Sequence, residues 1–444
     1  MSLTVSAMGV NTLGTRKTSL SRISLYLLAI AICVPTDLFS TSLLGNRQLL
    51  VPVATLLVVF TWLILKHGRM PAVRGNISII WIALFLFTSL AVLSSVSHPN
   101  SSQSLQLVAT YMVRFIMLFA LVQSMVADTY VIMRVQRLLA GALALVALLM
   151  ISGLLDHFGH NVLSSAIGSN KSIARISAGL GDPNFTALAF NNGLAMALAW
   201  FATAETRSRR IAAVVAALLL VVGIGRTVSI GGLIGMTVIL LLAYWRMAKF
   251  AGRRKWGLMW LSVGLLAAIV AVAGGVYMKR IDQQAVRSER SLSSLGTERL
   301  NLTVGGLRMA WANPLLGVGV ANISEFMPQY LLTPIAEPYQ ESHDGFINVM
   351  DEMGIPAFLL FLLVVLLVFR LAIAAQRHLL KIGDRTGYLV GEGACIALIA
   401  NLVQTLALGT QRFPHFWFVI ALVLATSWRA LHHPGTIKPA VWVS

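Results

Sequence analysis

The sequence predicts an all-α integral membrane protein with about twelve transmembrane helices and one large, partly helical loop before the tenth. Of the 444 residues, 57% are apolar and only 11% are charged, whereas a soluble domain carries roughly 25% charged residues. A spanning helix needs about 20 mainly apolar residues, and such runs recur along the whole chain. The basic residues lie in short clusters between the runs, so the net charge of +18 is explained by membrane orientation and no nucleic-acid partner is expected.

The apolar runs divide the chain into helices and connections. The first run lacks a small-residue cleavage site, so we expect an uncleaved first span. The predicted spans are 23–41, 48–65, 77–96, 105–125, 135–155, 184–203, 211–226, 229–245, 257–278, 355–375, 388–408 and 413–429. The corresponding regions are a cytoplasmic tail (1–22), helices one to nine (23–278), a large periplasmic loop (279–354), helices ten to twelve (355–429) and a second cytoplasmic tail (430–444).

The distribution of Lys and Arg orients these spans. The short connections on one side are basic, as at 66–74 and 246–255, whereas those on the other side, such as 97–102, are nearly neutral. Basic connections stay in the cytoplasm. The pattern therefore places both termini in the cytoplasm and the large loop outside it.

Several Arg residues depart from this pattern because they lie on the predicted outer side: Arg175, Arg226, Arg299 and Arg308. The planar guanidinium matches phosphate oxygens in bidentate fashion, so these residues indicate a phosphorylated ligand. Solvated loop charges or lipid headgroup contacts are the alternative. Arg299 and Arg308 are nine residues apart on a predicted helix that ends at Pro314, so at most one of them should point at a given phosphate.

The end of the large loop contains a candidate general base. Ser342 is predicted to cap a short helix over 343–353, which places His343 in its first turn, close to the membrane surface. An imidazole accepts a proton from a hydroxyl group near neutral pH. A structural role is the alternative for a lone histidine.

A second candidate lies at the start of the sixth span. Asp182 and Pro183 form a predicted helix start, and Asn184 can offer its side-chain amide to a ligand. A simple turn is the alternative. No zinc-type spacing, phosphate-binding Gly-rich loop, dinucleotide fingerprint or paired acidic motif in an outer loop is present, so no metal or cofactor is expected.

Three motifs, in this order, resemble the O-antigen ligase family, whose shared region also covers O-antigen polymerases and protein O-oligosaccharyltransferases. They are Gly181 to Asn184, Arg299 followed by 311–319, and the loop end at 343–354. In the third motif the family pattern has His-Asn, whereas this chain has His343 and Asp344. The Glu of the same family motif corresponds to Glu352 in this chain.

The chain also departs from the family after the seventh span. The family often has Ser-Arg-Gly there, whereas this chain has Ser229, Ile230 and Gly231. Arg226 lies four residues before Ile230, one helical turn, and is expected to supply the charge from the same face.

The resemblance implies a GT-C-like glycosyltransferase of the bacterial inner membrane, with its active site facing the periplasm. The implied donor is O-antigen linked to undecaprenyl diphosphate, and the implied acceptor is a sugar hydroxyl of lipid A–core, with membrane lipids around both. Arg residues can neutralise the leaving diphosphate, so metal-independent, inverting transfer is expected. The expected roles are catalytic base for His343, diphosphate or substrate binding for Arg175, Arg226, Arg299, Arg308 and Asn184, and support for Asp344 and Glu352.

Three other functions stay open at this point. An O-antigen polymerase or a protein O-oligosaccharyltransferase would use the same lipid-linked donor, and the motifs do not separate them from a ligase. A lipid or sugar transporter is the alternative from another class. Transporters commonly contain internal repeats with broken helices at the midplane. The chain shows no repeat and gathers its polar groups at one face, which favours an enzyme.

Overall fold

The computed structural model describes residues 25–27, 29–30, 76–98, 101–125, 129–154, 182–247, 256–257, 259–260, 263–264, 292–335 and 341–432. Within these ranges the chain forms helices and connections without a β-strand. The helices are α1 (Asn76–Val96), α2 (Ser101–Met125), α3 (Thr129–Ile151), α4 (Pro183–Thr203), α5 (Arg207–Thr227), α6 (Ile230–Leu242), α7 (Leu292–Ala312), α8 (Ile323–Phe326), α9 (Gly345–Lys381), α10 (Arg385–Thr405) and α11 (Pro414–His432).

In the described part of the chain, eight helices are long and apolar enough to cross a membrane. They are α1, α3, α4, α5, α6 with the π-helical turn Ala243–Met247, α9, α10 and α11. Each coincides with a predicted span, so the protein is a multi-pass membrane protein. The predicted span at 105–125 is also helical, as α2, but is not among these eight. The predicted spans at 23–41, 48–65 and 257–278 lie largely outside the described residues.

Three helices form the centre of the described bundle. About four fifths of the residues in the apolar stretches of α4, α10 and α11 are buried, at 83%, 78% and 83%. Helix α4 packs against α3, α5 and α10, while α11 packs against α2, α9 and α10. In the peripheral helices α1, α5, α6 and α9, less than half of the residues in the apolar stretch are buried, as expected for helices that face lipid.

The predicted outer connections meet at one end of the bundle, here called the loop end. It is the end at which α4 and α9 begin, α5 passes into α6, and α10 ends. The Ser229 hydroxyl donates to the side-chain Oδ1 of Asn184 over 2.7 Å, joining the α5–α6 turn to the start of α4. The Ser104 hydroxyl of α2 donates to the Val320 carbonyl over 2.7 Å, joining α2 to the large loop.

The opposite end holds basic side chains that the charge pattern assigns to the cytoplasm. The Arg246 guanidinium lies 2.8 Å from the buried Glu392 carboxylate, which joins the π-helical turn to α10. Arg429, near the end of α11, donates to the Thr129 hydroxyl at the start of α3. The assignment of this end to the cytoplasm stays a prediction.

Candidate active site

His343 lies immediately before the first turn of α9. The helix cap is Asp344 and not Ser342 as predicted, because the Asp344 carboxylate accepts the backbone N–H groups of Phe346 at 2.8 Å and Ile347 at 3.2 Å. Helix α9 consequently begins at Gly345, and His343 precedes the cap with a φ of 58° and an exposed side chain. The Asp that replaces the family's Asn thus supplies the oxygen that caps the helix.

Gly354 is not helical, at φ 82° and ψ 172°, and divides α9 into a short helix that ends before it and the membrane span that follows, as the sequence predicts. The carbonyl groups freed at the kink accept hydrogen bonds from the second motif: Val318 N–H donates to the Asp351 carbonyl over 2.7 Å, and Gly319 N–H to that of Glu352 over 3.1 Å. The kink therefore joins the 311–319 motif to the helix that follows His343.

Substituting Gly354 by Ala should destabilise the protein. This backbone region is essentially restricted to glycine, which costs about 1–3 kcal/mol for another residue, and an added Cβ would lie 2.3 Å from the Leu315 carbonyl oxygen. We expect a lower unfolding temperature in detergent than for Gly141→Ala, where an added Cβ meets no atom within 4 Å. Equal unfolding temperatures for the two variants would show that the kink is dispensable.

Glu352 is fully buried, two residues before the kink at Gly354. Its Oε1 accepts the Ala321 N–H at 2.6 Å and forms an ion pair with Arg412, which lies in the 3₁₀ turn Thr410–Arg412 between α10 and α11. The second terminal nitrogen of Arg412 pairs with Glu341, two residues before His343. Burial alone would lower the pKa of Arg412, but the carboxylates of Glu352 and Glu341 outweigh it and raise this pKa, so Arg412 stays charged.

A short network continues from Glu341 around His343. The Asn348 side-chain amide donates to Glu341 Oε2 over 3.1 Å, and the Ser342 hydroxyl donates to the side-chain Oδ1 of Asn348. Asn348 is fully buried and Ser342 is nearly so. The residues on both sides of His343 are therefore tied to the first turns of α9.

An open cleft with a cavity volume of about 60 Å³ lies at the loop end. Its walls come from the start of α4, the α5–α6 turn, α7 and the end of α10. The lining residues are Asn184, Val228, Ser229, Ile230, Gly231, Gly232, Arg299, Gln404, Ala407 and Leu408. Two of the predicted binding residues, Asn184 and Arg299, thus line the same cleft.

Ser229 organises the wall formed by α6. Its hydroxyl accepts the Gly232 N–H at 3.1 Å, which caps α6, and donates to Asn184 as described above. The N–H groups of the first turn of a helix lack intrahelical partners and favour anions. Gln404, on the opposite wall, is 2% exposed, and within the described residues its Nε2 has no hydrogen-bond partner. The cleft is therefore lined by groups that donate hydrogen bonds.

His343 lies at the same end of the bundle as this cleft. Desolvation by the surrounding protein lowers the pKa of His343 below its ordinary value, and the positive charge of Arg299 lowers it further. The carboxylates of Glu341, Asp182 and Glu298 oppose this shift. An imidazole with a lowered pKa is neutral at physiological pH, the form that accepts a proton.

The other predicted binding residues are placed differently. Arg226 is exposed in the last turn of α5, and the expectation that it shares a helical face with Ile230 is wrong, because Val228 adopts φ 53° and a new helix begins at Ile230. Arg308 donates to the Tyr330 carbonyl over 3.1 Å and does not line the cleft. Arg175 lies outside the described residues, and substrate binding by any of the three stays a prediction.

Sequence reasoning did not single out Arg412, Glu341, Asn348 or Gln404. The signal for Arg412 was its presence in a short outer connection, where Arg is otherwise avoided. The three others carried no such signal. In the described part of the chain, no three His, Cys, Asp or Glu side chains are grouped as a metal site requires, and the metal independence of the reaction stays a prediction.

These features define a multi-pass, all-helical membrane protein whose His, Arg and amide side chains gather at one end of the bundle. Residues 212–362 match the family model described as O-antigen ligase, which confirms the resemblance of the chain to the O-antigen ligase family. The matched segment contains Arg226, Arg299 and His343 but neither Asn184 nor Arg412. Comparison with curated proteins gives no significant match.

The family match also bears on the class of activity. Members of this family are glycosyltransferase-like enzymes of O-antigen processing, and they include both ligases and polymerases. It implies a lipid-linked polysaccharide as a partner and a membrane as the setting.

Proposed function

We propose that the protein is an O-antigen ligase that transfers O-antigen polysaccharide from undecaprenyl diphosphate to a sugar hydroxyl of lipid A–core. The reaction takes place at the periplasmic face of the bacterial inner membrane, without a metal ion, and inverts the anomeric centre. The observation that supports this most directly is that Asn184 and Arg299 line one cleft at the loop end, the end at which His343 precedes α9.

The proposed step is a single displacement. His343 accepts the proton of the acceptor hydroxyl as that oxygen bonds to the anomeric carbon of the donor sugar. The bond between this carbon and the diphosphate oxygen breaks at the same time, and undecaprenyl diphosphate leaves with the electron pair. A neutral imidazole is required at the start, which the lowered pKa of His343 provides.

The cleft supplies the charge stabilisation for the leaving group. Arg299 offers a guanidinium, Gln404 a side-chain amide, and the first turn of α6 the backbone N–H groups that Ser229 does not cap. Donors fixed before the reaction stabilise negative charge as it develops. The glycan and its diphosphate protrude from the membrane surface because the prenyl chain anchors them there, and the loop end meets them at that level.

The direct test is transfer by the purified protein in detergent or nanodiscs. It is supplied with undecaprenyl-diphosphate-linked glycan, lipid A–core and a metal chelator. A ladder of glycan on lipid A–core would support ligation without a metal. Lengthening of the lipid-linked donor alone would indicate a polymerase, and transfer to an added acceptor protein would indicate a protein O-oligosaccharyltransferase. Transport of the donor across vesicles without any transfer would replace the enzyme hypothesis.

The pH dependence provides a second test of the base. Activity should fall on the acid side as His343 becomes protonated, with a midpoint below the ordinary imidazole pKa of about 6.5, because the His343 pKa is lowered. Arg299→Gln removes a cation that lowers this pKa, so its midpoint in kcat/KM should move to higher pH. Arg299→Lys keeps the charge and should leave the midpoint near that of the wild type. Identical midpoints in all three proteins would contradict the assignment of this limb to His343.

A further inference from the structure

We propose that Arg412 is a positioning residue that holds His343 in place by pairing with one acidic residue on each side of it. The proposal rests on the proposed function, because it assigns Arg412 a role in placing the general base. The pair of contacts from Arg412 to Glu341 and Glu352 is called the clamp below.

His343 needs such restraint because its backbone conformation is rare for an L residue. Its φ of 58° lies in the left-handed region, where non-Gly residues persist only when the surrounding structure determines them. The preceding Glu341 and the following α9 must therefore both be held. The clamp supplies a contact to each of them.

The turn that presents Arg412 is itself fixed. Trp417 Nε1 donates to the Gln411 carbonyl over 2.7 Å, and the hydroxyl groups of Thr405 and Thr410 are hydrogen-bonded to each other. A Cβ added at Gly345, the first residue of α9, would lie 2.7 Å from Gln411 Oε1. The α10–α11 turn thus lies directly against the start of α9 and fixes the position of the Arg412 guanidinium.

The two halves of the clamp differ in strength. Glu352 is fully buried and also accepts the Ala321 N–H, so α9 keeps a second anchor when Arg412 is changed. The Glu341 side chain is 36% exposed and is held by Arg412 and Asn348. The Glu341 half is therefore the part that restrains the segment leading to His343, and it can be removed without burying a lone charge.

Arg412 is poorly placed to bind the substrate diphosphate. Both of its terminal nitrogens pair with carboxylates, its side chain is only 20% exposed, and it does not line the cleft. A guanidinium whose two terminal nitrogens already pair with carboxylates cannot bind a phosphate group through the same two nitrogens. The arrangement favours positioning over ligand binding.

The test compares Glu341→Ala, which removes the contacts to Arg412 and Asn348, with Glu341→Gln, which removes the charge but keeps hydrogen-bonding atoms. Arg412→Lys is the third variant. Arg209→Met is the matched control, because it removes an exposed Arg–Glu contact of 3.7 Å at the opposite end. For each protein, kcat, KM for the donor, the unfolding temperature and hydrogen–deuterium exchange of residues 341–353 are measured.

Positioning predicts a fall in kcat of about 10- to 100-fold for Glu341→Ala, since a small displacement of a catalytic group has effects of this size. KM and the unfolding temperature should change little, exchange at 341–353 should become faster, and Glu341→Gln should recover part of kcat. A purely electrostatic effect of Glu341 on His343 would make Ala and Gln alike. They would then differ from the wild type only in the acid limb of the pH profile, where Arg299, Asp182 and Glu298 also act on His343.

Three outcomes would overturn the proposal in distinguishable ways. An active wild type with unchanged kcat in Glu341→Ala and Arg412→Lys would refute the positioning role and leave the proposed function intact. A wild type that transfers no glycan to any acceptor would refute the proposed function and the positioning role together. Unchanged exchange at 341–353 in Glu341→Ala would show, independently of activity, that the clamp does not restrain this segment.

Discussion

Replacing His343 by Ala should reduce glycan transfer by about 10²–10⁴-fold, the range that a positioned general base contributes. The acceptor hydroxyl would have to lose its proton to water, whereas its binding and the charge stabilisation in the cleft would persist. The loss should therefore appear in kcat more than in KM for the donor. Steady-state kinetics in detergent, with expression level and unfolding temperature measured alongside, would check this.

The rare backbone conformation of His343 makes the choice of control variants important. Asn tolerates the left-handed region better than most residues but is not a base, so His343→Asn should fold like the wild type and be inactive. His343→Gly relieves the φ of 58° and leaves space for added imidazole, which should restore part of the activity. Full activity of His343→Asn would exclude a proton-transfer role for this residue.

Replacing Arg299 by Ala should reduce kcat by about 10²–10³-fold, as the loss of one preorganised donor to a developing charge does in other enzymes. Arg299 is exposed and lines the cleft, so its removal leaves no buried group unpaired. Arg299→Lys should recover only part of the activity, because an ammonium group cannot contact two phosphate oxygens as a guanidinium does.

The same assay applied to Arg308→Ala decides which Arg of α7 contacts the diphosphate. Arg308 donates to the Tyr330 carbonyl and lies away from the cleft, so its substitution should cost less activity than that of Arg299. A larger loss for Arg308→Ala would contradict the assignment of the diphosphate to this cleft. It would place the leaving group on the outer side of α7 instead.

The replacement of the family's Arg by Ile230 has a structural counterpart. Position 230 is the first residue of α6 and lines the cleft together with Gln404 and Arg299. An Arg at this position would therefore lie at the cleft. Arg226 does not occupy this position, because the left-handed Val228 separates α5 from α6. Arg299 and the backbone donors of α6 are thus the groups in the described cleft best suited to bind an anion.

The sequence by itself determined the class of protein, the position of most helices and the candidate base. Apolar runs of the length of a bilayer leave few alternatives to membrane helices, because an unsatisfied backbone is too costly in lipid. The order of the 181–184, 299–319 and 343–354 motifs was sufficient for the resemblance, and the family match covers the second and third of them. His343 and Arg299 were found because His and Arg are conspicuous in the outer loops of an apolar chain.

Only the tertiary structure decided which of these residues meet. The pairing of Arg412 with Glu341 and Glu352 joins positions 71 and 60 residues apart, and no local spacing predicts such a contact. The helix cap at Asp344 depends on the conformation of His343, and the contact of Arg308 with Tyr330 depends on how the loop folds back on α7. Hydropathy and spacing determine helices because their hydrogen bonds are local, whereas a site at the helix ends depends on the packing of segments that are distant in the chain.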